Sequence, residues 1–221
     1  MYQVEIKRIN ITFVYENLTE TFISRDYIKK SFNDVQVIDI PDDILLINFQ
    51  KRFKNCSLQA VFDQKRLSTN LNIPENLHIT DIDLLPLQNL IQLTFVAHES
   101  IESSKLESYG FNFTGIGKFT KNNEQIASEV FKNIFLKDPI QLERNIKGKI
   151  TSFAPKFTVE YDDFVFNVNI DVINESPTDF HININDHFDS STVPERKELL
   201  KKLKTFWKKN DQIMKKIHNR D

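Results

Sequence analysis

Apolar and polar residues alternate from Val4 to Glu16 ("VEIKRINITFVYE"), with a slip of phase near Lys7-Arg8. Alternation of period two predicts a half-buried strand, and the slip predicts a bulge within it. "SRDYIKKSF" then predicts a short helix, with Ser24 in the N-cap position and Tyr27, Ile28 and Phe32 along one stripe. Strand-like runs follow: "VQVIDI" through "ILLINFQ", broken at Pro41-Asp42-Asp43, then "CSLQAVFD" and "RLSTNLNI". Polar turns at Lys51–Asn55 and Asp63–Lys65 make antiparallel hairpins the expected pairing. A helix is expected near "DIDLLPLQNLIQL", with Pro86 close to its first turn, and "QLTFVAH" (92–98) reads as an additional strand.

The second half repeats the order. The strand "YGFNFTGIGKF" leads to a helix, "NNEQIASEVFKNIF", with Ile126, Val130, Phe131 and Ile134 on one face. Strands are expected at "GKITSFAPKFTVEY", "FVFNVNIDVI" and "DFHININDHF". A long helix closes the chain over residues 193–218, with Thr192-Val193-Pro194-Glu195 as its capping box. The expectation is an α+β fold of two similar units, each a strand, a helix, three antiparallel strands and a helix. Their sheets, separate or continuous, are covered by helices. The polar loop Glu99–Ser108 divides a first unit, residues 1–99, from a second, residues 100–221.

Three of the four glycines lie in "YGFNFTGIGKFTKN" (109–122). A phosphate loop needs G-x-x-x-x-G-K-[ST]. Gly110 and Gly115 have that gap, but Ile116 stands where the lysine belongs. No glycine follows Gly117 at the distance a dinucleotide fingerprint requires. Alternation fits instead, with Phe111, Phe113, Gly115, Gly117 and Phe119 on one side and aromatic rings filling the room that glycine leaves. No cofactor is expected.

Candidate chemistry elsewhere is thin. "DFHININDHFD" gathers Asp179, His181, Asp186, His187 and Asp189. On a strand, however, His181 and His187 stand about 20 Å apart at roughly 3.3 Å per residue. Phe180, Ile182, Ile184 and Phe188 are expected inward, with His181, Asn183 and Asn185 outward, and no metal set results. Cys56 is the only cysteine, expected as a small buried side chain rather than a nucleophile. No Ser/His/Asp or Cys/His set assembles, so no catalytic residue is assigned; a hydrolase of unrecognised type stands as a second alternative.

Composition is that of a globular chain, 40% apolar and 27% charged, with nineteen Phe. Such a Phe excess reflects an AT-rich coding bias or an aromatic binding surface. Charge is unevenly spread: residues 195–221 carry +6 against −8 on the rest. In the last helix Leu199, Leu200, Leu203, Phe206, Trp207, Ile213, Met214 and Ile217 form an apolar stripe, with lysines opposite. Lys201, Lys204, Lys208 and Lys215 are the candidate anion- or partner-binding residues, which makes a nucleic-acid or anionic-surface binder the first alternative. The N-terminus lacks the apolar core of a signal peptide, and no run approaches the ~20 residues of a membrane span, so a cytoplasmic protein is expected.

Three stretches carry a resemblance. "VFDQKRLSTNLN", "LESYGFNFTGIGKF" and "FVFNVNIDVI" are similar to segments of a sporadically distributed family of uncharacterised prokaryotic proteins. That family carries an Arg-Tyr-Ile-Asn-like run where this chain has Phe111-Asn112-Phe113-Thr114. The layout also resembles the export chaperone SecB, whose sheets and helices form grooves for extended apolar chains. The resemblance implies a two-part α+β protein with no catalytic residues to transfer. The expected function is non-enzymatic: a binding, assembly or chaperone-like module acting through sheet–helix grooves, on a protein partner or on copies of itself.

Overall fold

Strand β1 (Tyr2–Tyr15) lies antiparallel to an equally long strand, β6 (Leu106–Phe119), along nearly their whole length. The register between them shifts between Ile6 and Arg8, which places a bulge at the slip of phase seen in the sequence. The remaining strands are β2 (Gln36–Asp39), β3 (Ile47–Phe53), β4 (Cys56–Phe62), β5 (Arg66–Asn72), β7 (Lys156–Glu160), β8 (Val165–Val172) and β9 (Asp179–Phe188). Among the described residues these make one antiparallel sheet in the order β2-β3-β4-β5-β1-β6-β9-β8-β7. The computed structural model describes residues 2–18, 22–32, 35–39, 47–53, 55–63, 65–119, 127–173, 176 and 178–218. Ile126 and the Pro41-Asp42-Asp43 break lie outside them.

The glycine-rich segment is extended chain inside this sheet. Its odd-numbered residues from Tyr109 to Gly117 are buried. Gly117 is glycine for a steric reason: a Cβ there would sit 2.1 Å from Phe180 Cζ on β9. The Phe180 ring fills that space and meets Phe119 and Phe131 at 5.2 and 4.8 Å between centroids.

Among the described residues five α-helices accompany the sheet: α1 (Arg25–Ser31), α2 (Leu87–Glu99), α3 (Ala127–Phe135), α4 (Pro139–Ile146) and α5 (Arg196–His218). Helix α2 packs on β4 and β5, where the buried hydroxyl of Thr94 lies 2.6 Å from that of Thr69. Helix α3 sets Phe131 on Phe180. Helix α5 sets Phe206 against Phe111, Phe164 and Phe188, and Trp207 against Phe113. Each contacted strand residue belongs to the same inward set, so α2, α3 and α5 cover one face. Burial of each large apolar side chain there contributes roughly 1.5–3 kcal/mol.

Some element boundaries differ from those expected. Gln92–His98 is not a strand: it continues α2, and a helix buried through Leu90, Ile91 and Leu93–Ala97 reads as an unbroken apolar run. Helix α4 stands between the expected helix and the expected strand, in a stretch for which no element is predicted; Asp138 caps it by accepting from Gln141 N–H at 2.8 Å, with Pro139 at the first position. Helix α5 begins at Arg196 rather than Val193, its first turn closed by Leu199 N–H donating to the Glu195 carbonyl. Thr192–Glu195 lead into it as irregular chain.

The face opposite the helices is polar and organised in rows. One row crosses every strand, with Gln36, Gln50, Gln59, Asn70, Asn10, Asn112, Asn185, Asn167 and Thr158 in successive register. From Thr158 to Asn70 its side chains bond head to tail. Thr158 Oγ1 donates to Asn167 Oδ1 (2.7 Å), and Asn167 Nδ2 to Asn185 Oδ1 (3.3 Å). Asn185 Nδ2 donates to Asn112 Oδ1 (2.7 Å), Asn112 Nδ2 to Asn10 Oδ1 (2.7 Å), and Asn10 Nδ2 to Asn70 Oδ1 (3.0 Å). Bonds aligned in one sense polarise one another, and a register slip of one residue would break all of them.

Candidate functional site

The candidate lysines lie on α5, and the structure separates them. Lys204 and Lys208, one turn apart, converge on the carboxylate of Asp83: Lys204 Nζ stands 2.8 Å from Oδ1 and Lys208 Nζ 3.1 Å from Oδ2. Asp83 lies in a single 3-10 turn, Ile82–Leu84, where its own N–H is anchored by the Asp81 side chain at 2.9 Å. Hydrogen bonds from Lys204, then Lys208, hold the Asp83 carboxyl below the usual range. Lys215 pairs with Asp211 one turn earlier at 2.5 Å. Lys201 is exposed. Two of the four candidate lysines are therefore paired with one carboxylate of the preceding acidic body, and a third is paired within α5 itself.

Other cations of α5 are also engaged. Arg196 binds Glu99 at 2.6 Å and stacks on Phe95. Lys209 lies 4.1 and 4.4 Å above the Phe164 and Tyr161 rings, and Lys202 donates to the Tyr109 hydroxyl at 3.1 Å.

Beside the Asp83 bridge a groove opens between the 3-10 turn, the start of α2 and α5. Its volume is ≈ 340 Å³, and its walls are Asp83, Leu84, Leu85, Leu87, Leu200 and Lys204, with Gln88 and Asn89 on the rim. This is the low end of the ~300–1,000 Å³ span of small-ligand sites. Leu85 and Leu87 are buried in its wall, whereas Leu84 is 74% exposed, the most exposed large apolar side chain among the described residues. Leucine side chains, the exposed Leu84 and the paired Asp83–Lys204 charges line it together. They offer no nucleophile beside a base.

Beneath α5 lies a polar contact that the sequence alone does not disclose. Asp186 of β9 and Asn210 of α5 are both 0% exposed, and Asn210 Nδ2 donates to Asp186 Oδ2 at 2.7 Å. The other oxygen of each, Oδ1, has no hydrogen-bond partner among the described residues. Burial pushes the Asp186 carboxyl up to about 7, against smaller opposing effects of the Asn210 bond and the Lys209 charge. A proton on Asp186 removes the buried charge and turns one oxygen into a donor, which balances donors against acceptors in the pair. Two breaks of pattern signal the contact: Asp186 occupies an inward position between Ile184 and Phe188, and Asn210 interrupts the apolar stripe of α5.

The other residues of the "DFHININDHFD" cluster do not converge with it. His181 is exposed, and His187 Nε2 lies 3.0 Å from Asp189 Oδ1. Among the described residues no group of three or more His, Cys, Asp or Glu is placed to hold a metal ion. His98, near the end of α2, has its Nδ1 2.9 Å from the Tyr15 hydroxyl of β1, and burial holds its imidazole below the usual value. Cys56 is buried, which pushes its thiol up and away from the thiolate that a nucleophile requires. No helix among the described residues is long and apolar enough to cross a membrane.

Compared with known proteins, the chain matches no protein-family model and no curated protein.

Proposed function

We propose that this protein is a non-enzymatic binding module that takes apolar side chains of a protein partner into the groove between α2 and α5. The observation that carries the reading is Leu84, 74% exposed at the lip of a leucine-walled groove. Leaving a leucine in water beside apolar wall forgoes stabilisation that a bound chain would recover. The Asp83–Lys204–Lys208 bridge supports it further by fixing α5 against the turn, so the groove is held open before a partner arrives.

The strand order supports a second element of the proposal, internal duplication. The units 1–99 and 100–221 each contribute one long strand to the centre, β1 and β6, with β5-β4-β3-β2 outside one and β9-β8-β7 outside the other, so the first unit carries one edge strand more. Each unit then ends in a helix on the covered face, and α2 packs beside α5. The groove forms where those two terminal helices meet. A cytoplasmic, chaperone-like role on extended apolar segments, as in a SecB-like layout, is the form of binding that such a groove serves.

The test is fluorescence anisotropy with labelled apolar peptides of about a dozen residues, screened against the whole chain. Leu84→Asp is expected to weaken binding at least tenfold without changing the unfolding midpoint, because Leu84 is exposed. Peptides that bind the wild type and Leu84→Asp equally, or that bind neither, would overturn the assignment.

A further inference from the structure

Strand β7 is the last of the sheet, and its free side is arranged for one particular neighbour. Tyr161 N–H bonds to the Phe164 carbonyl and Ile170 N–H to the Pro155 carbonyl. Antiparallel pairs alternate, so residues 155, 157, 159 and 161 direct their backbone groups at β8. Lys156, Thr158 and Glu160 therefore direct N–H and C=O outward, along the edge. Among the described residues no strand takes them up.

Natural edges are commonly blunted by short strands, by charges, especially Lys, or by a proline. Here the middle residue of the free side is Thr158, and the charges at its two ends are of opposite sign. The sequence Lys156-Phe157-Thr158-Val159-Glu160 is thus complementary to itself when reversed. Placed antiparallel about a two-fold axis at Thr158, a second copy sets its Glu160 opposite Lys156 and its Lys156 opposite Glu160. Thr158 meets Thr158, and Phe157 meets Val159 on the covered face.

We infer that β7 is the contact of an isologous dimer, in which two copies of this chain join edge to edge into one continuous sheet. Two independent features agree on that occupant. The charge pattern favours self-pairing in the antiparallel sense, the sense that a two-fold axis imposes. Second, four of the six large apolar side chains exposed among the described residues lie on α4 or directly after β7: Ile140, Leu142, Ile146 and Tyr161, and α3, which holds α4 through Glu143, sets Phe135 5.8 Å from Phe157 of β7. Helix α4, which holds three of them, has no buried residue, and its Glu143 is tied to Lys132 of α3 at 3.3 Å. The inference is independent of the α2–α5 groove, which lies on other elements.

The experiment is sedimentation equilibrium on the full chain, with circular dichroism to verify folding. The wild type is expected as a dimer of about 52 kDa, twice the 26.0 kDa chain. Lys156→Glu and Glu160→Lys each place two like-charged pairs across the axis and are expected to raise the dissociation constant at least tenfold. The double variant K156E/E160K restores opposite pairing and is expected to recover the dimer. Thr158→Pro removes an outward N–H that the single chain does not use, and is expected to give a folded monomer. A wild type that is monomeric at about 100 μM, a dimer indifferent to the single charge reversals, or an open-ended polymer would each overturn the inference.

Discussion

Replacing Asp186 by asparagine should make this protein more stable, and only above mildly acidic pH. The wild-type carboxyl is 0% exposed and sits at about 7, against an ordinary 3.8. Between those values the folded chain holds a proton that the unfolded chain releases. Unfolding therefore liberates protons, and a rise in pH favours it. The stability linked to this group is fully present below pH 3.8 and is lost as pH rises to about 7, above which no more is lost. The window spans about three pH units; at 1.36 kcal/mol per unit the loss is roughly 4 kcal/mol, of which roughly 3 falls between pH 5 and 7. That is a large part of a typical folding free energy.

In the Asp186→Asn chain the new amide keeps the volume and one acceptor for Asn210, adds a neutral donor and cannot ionise. Urea unfolding at pH 5, 6, 7 and 8 supplies the measurement. Trp207, the only tryptophan, is buried on α5 against Phe113 and reports the contact directly. The quantity of interest is the difference between the two chains, since other titrating groups such as His98 and Glu5 cancel in it. Expected is a stability gap in favour of Asp186→Asn that widens from pH 5 to pH 7 and then stays flat. Parallel pH profiles for the two chains would refute the reasoning, and so would a gap that narrows with pH.

Two further expectations concern the open face and the basic helix. Asn112→Ala removes the central link of the side-chain row, leaving Asn10 Oδ1 without that donor and Asn185 Nδ2 without its acceptor; a loss of about 1–3 kcal/mol is expected in urea unfolding, and a change under about 0.5 kcal/mol would show the row to be idle. Asp83→Ala releases Lys204 and Lys208 together and should delay elution from heparin, whereas a wild type already retained to high salt, with no further delay in the variant, would favour the anion-binding alternative.

What the sequence discloses depends on the range of the interaction. The strand at Tyr109–Phe119 and the bulge at Lys7 are local matters of alternation, and they are legible without the structure. So is the apolar stripe of α5. Gln92–His98 misleads because α2 is buried on most of its circumference, which erases the period that distinguishes helix from strand. Helix α4 is announced by Asp138-Pro139, and it carries Ile140, Leu142 and Ile146 although it buries none of its residues. The groove depends on where Leu84 and Leu200 meet, a juxtaposition that no local pattern carries.

The side-chain row is the clearest case of information spread too widely to read. Each strand supplies a single member, and each Asn or Gln alone looks like a solvated residue of low strand propensity. Their register becomes visible only once all nine strands are aligned, and then every choice is explained at once. An apolar side chain at these positions would pack as well on an open face but would tolerate a slip. An amide that must both donate and accept across two neighbours does not. The same reasoning bears on the free edge. That edge carries a register signal of its own: a second copy joining at β7 has one antiparallel alignment that sets Lys156 opposite Glu160 twice, and a one-residue slip forfeits both pairs.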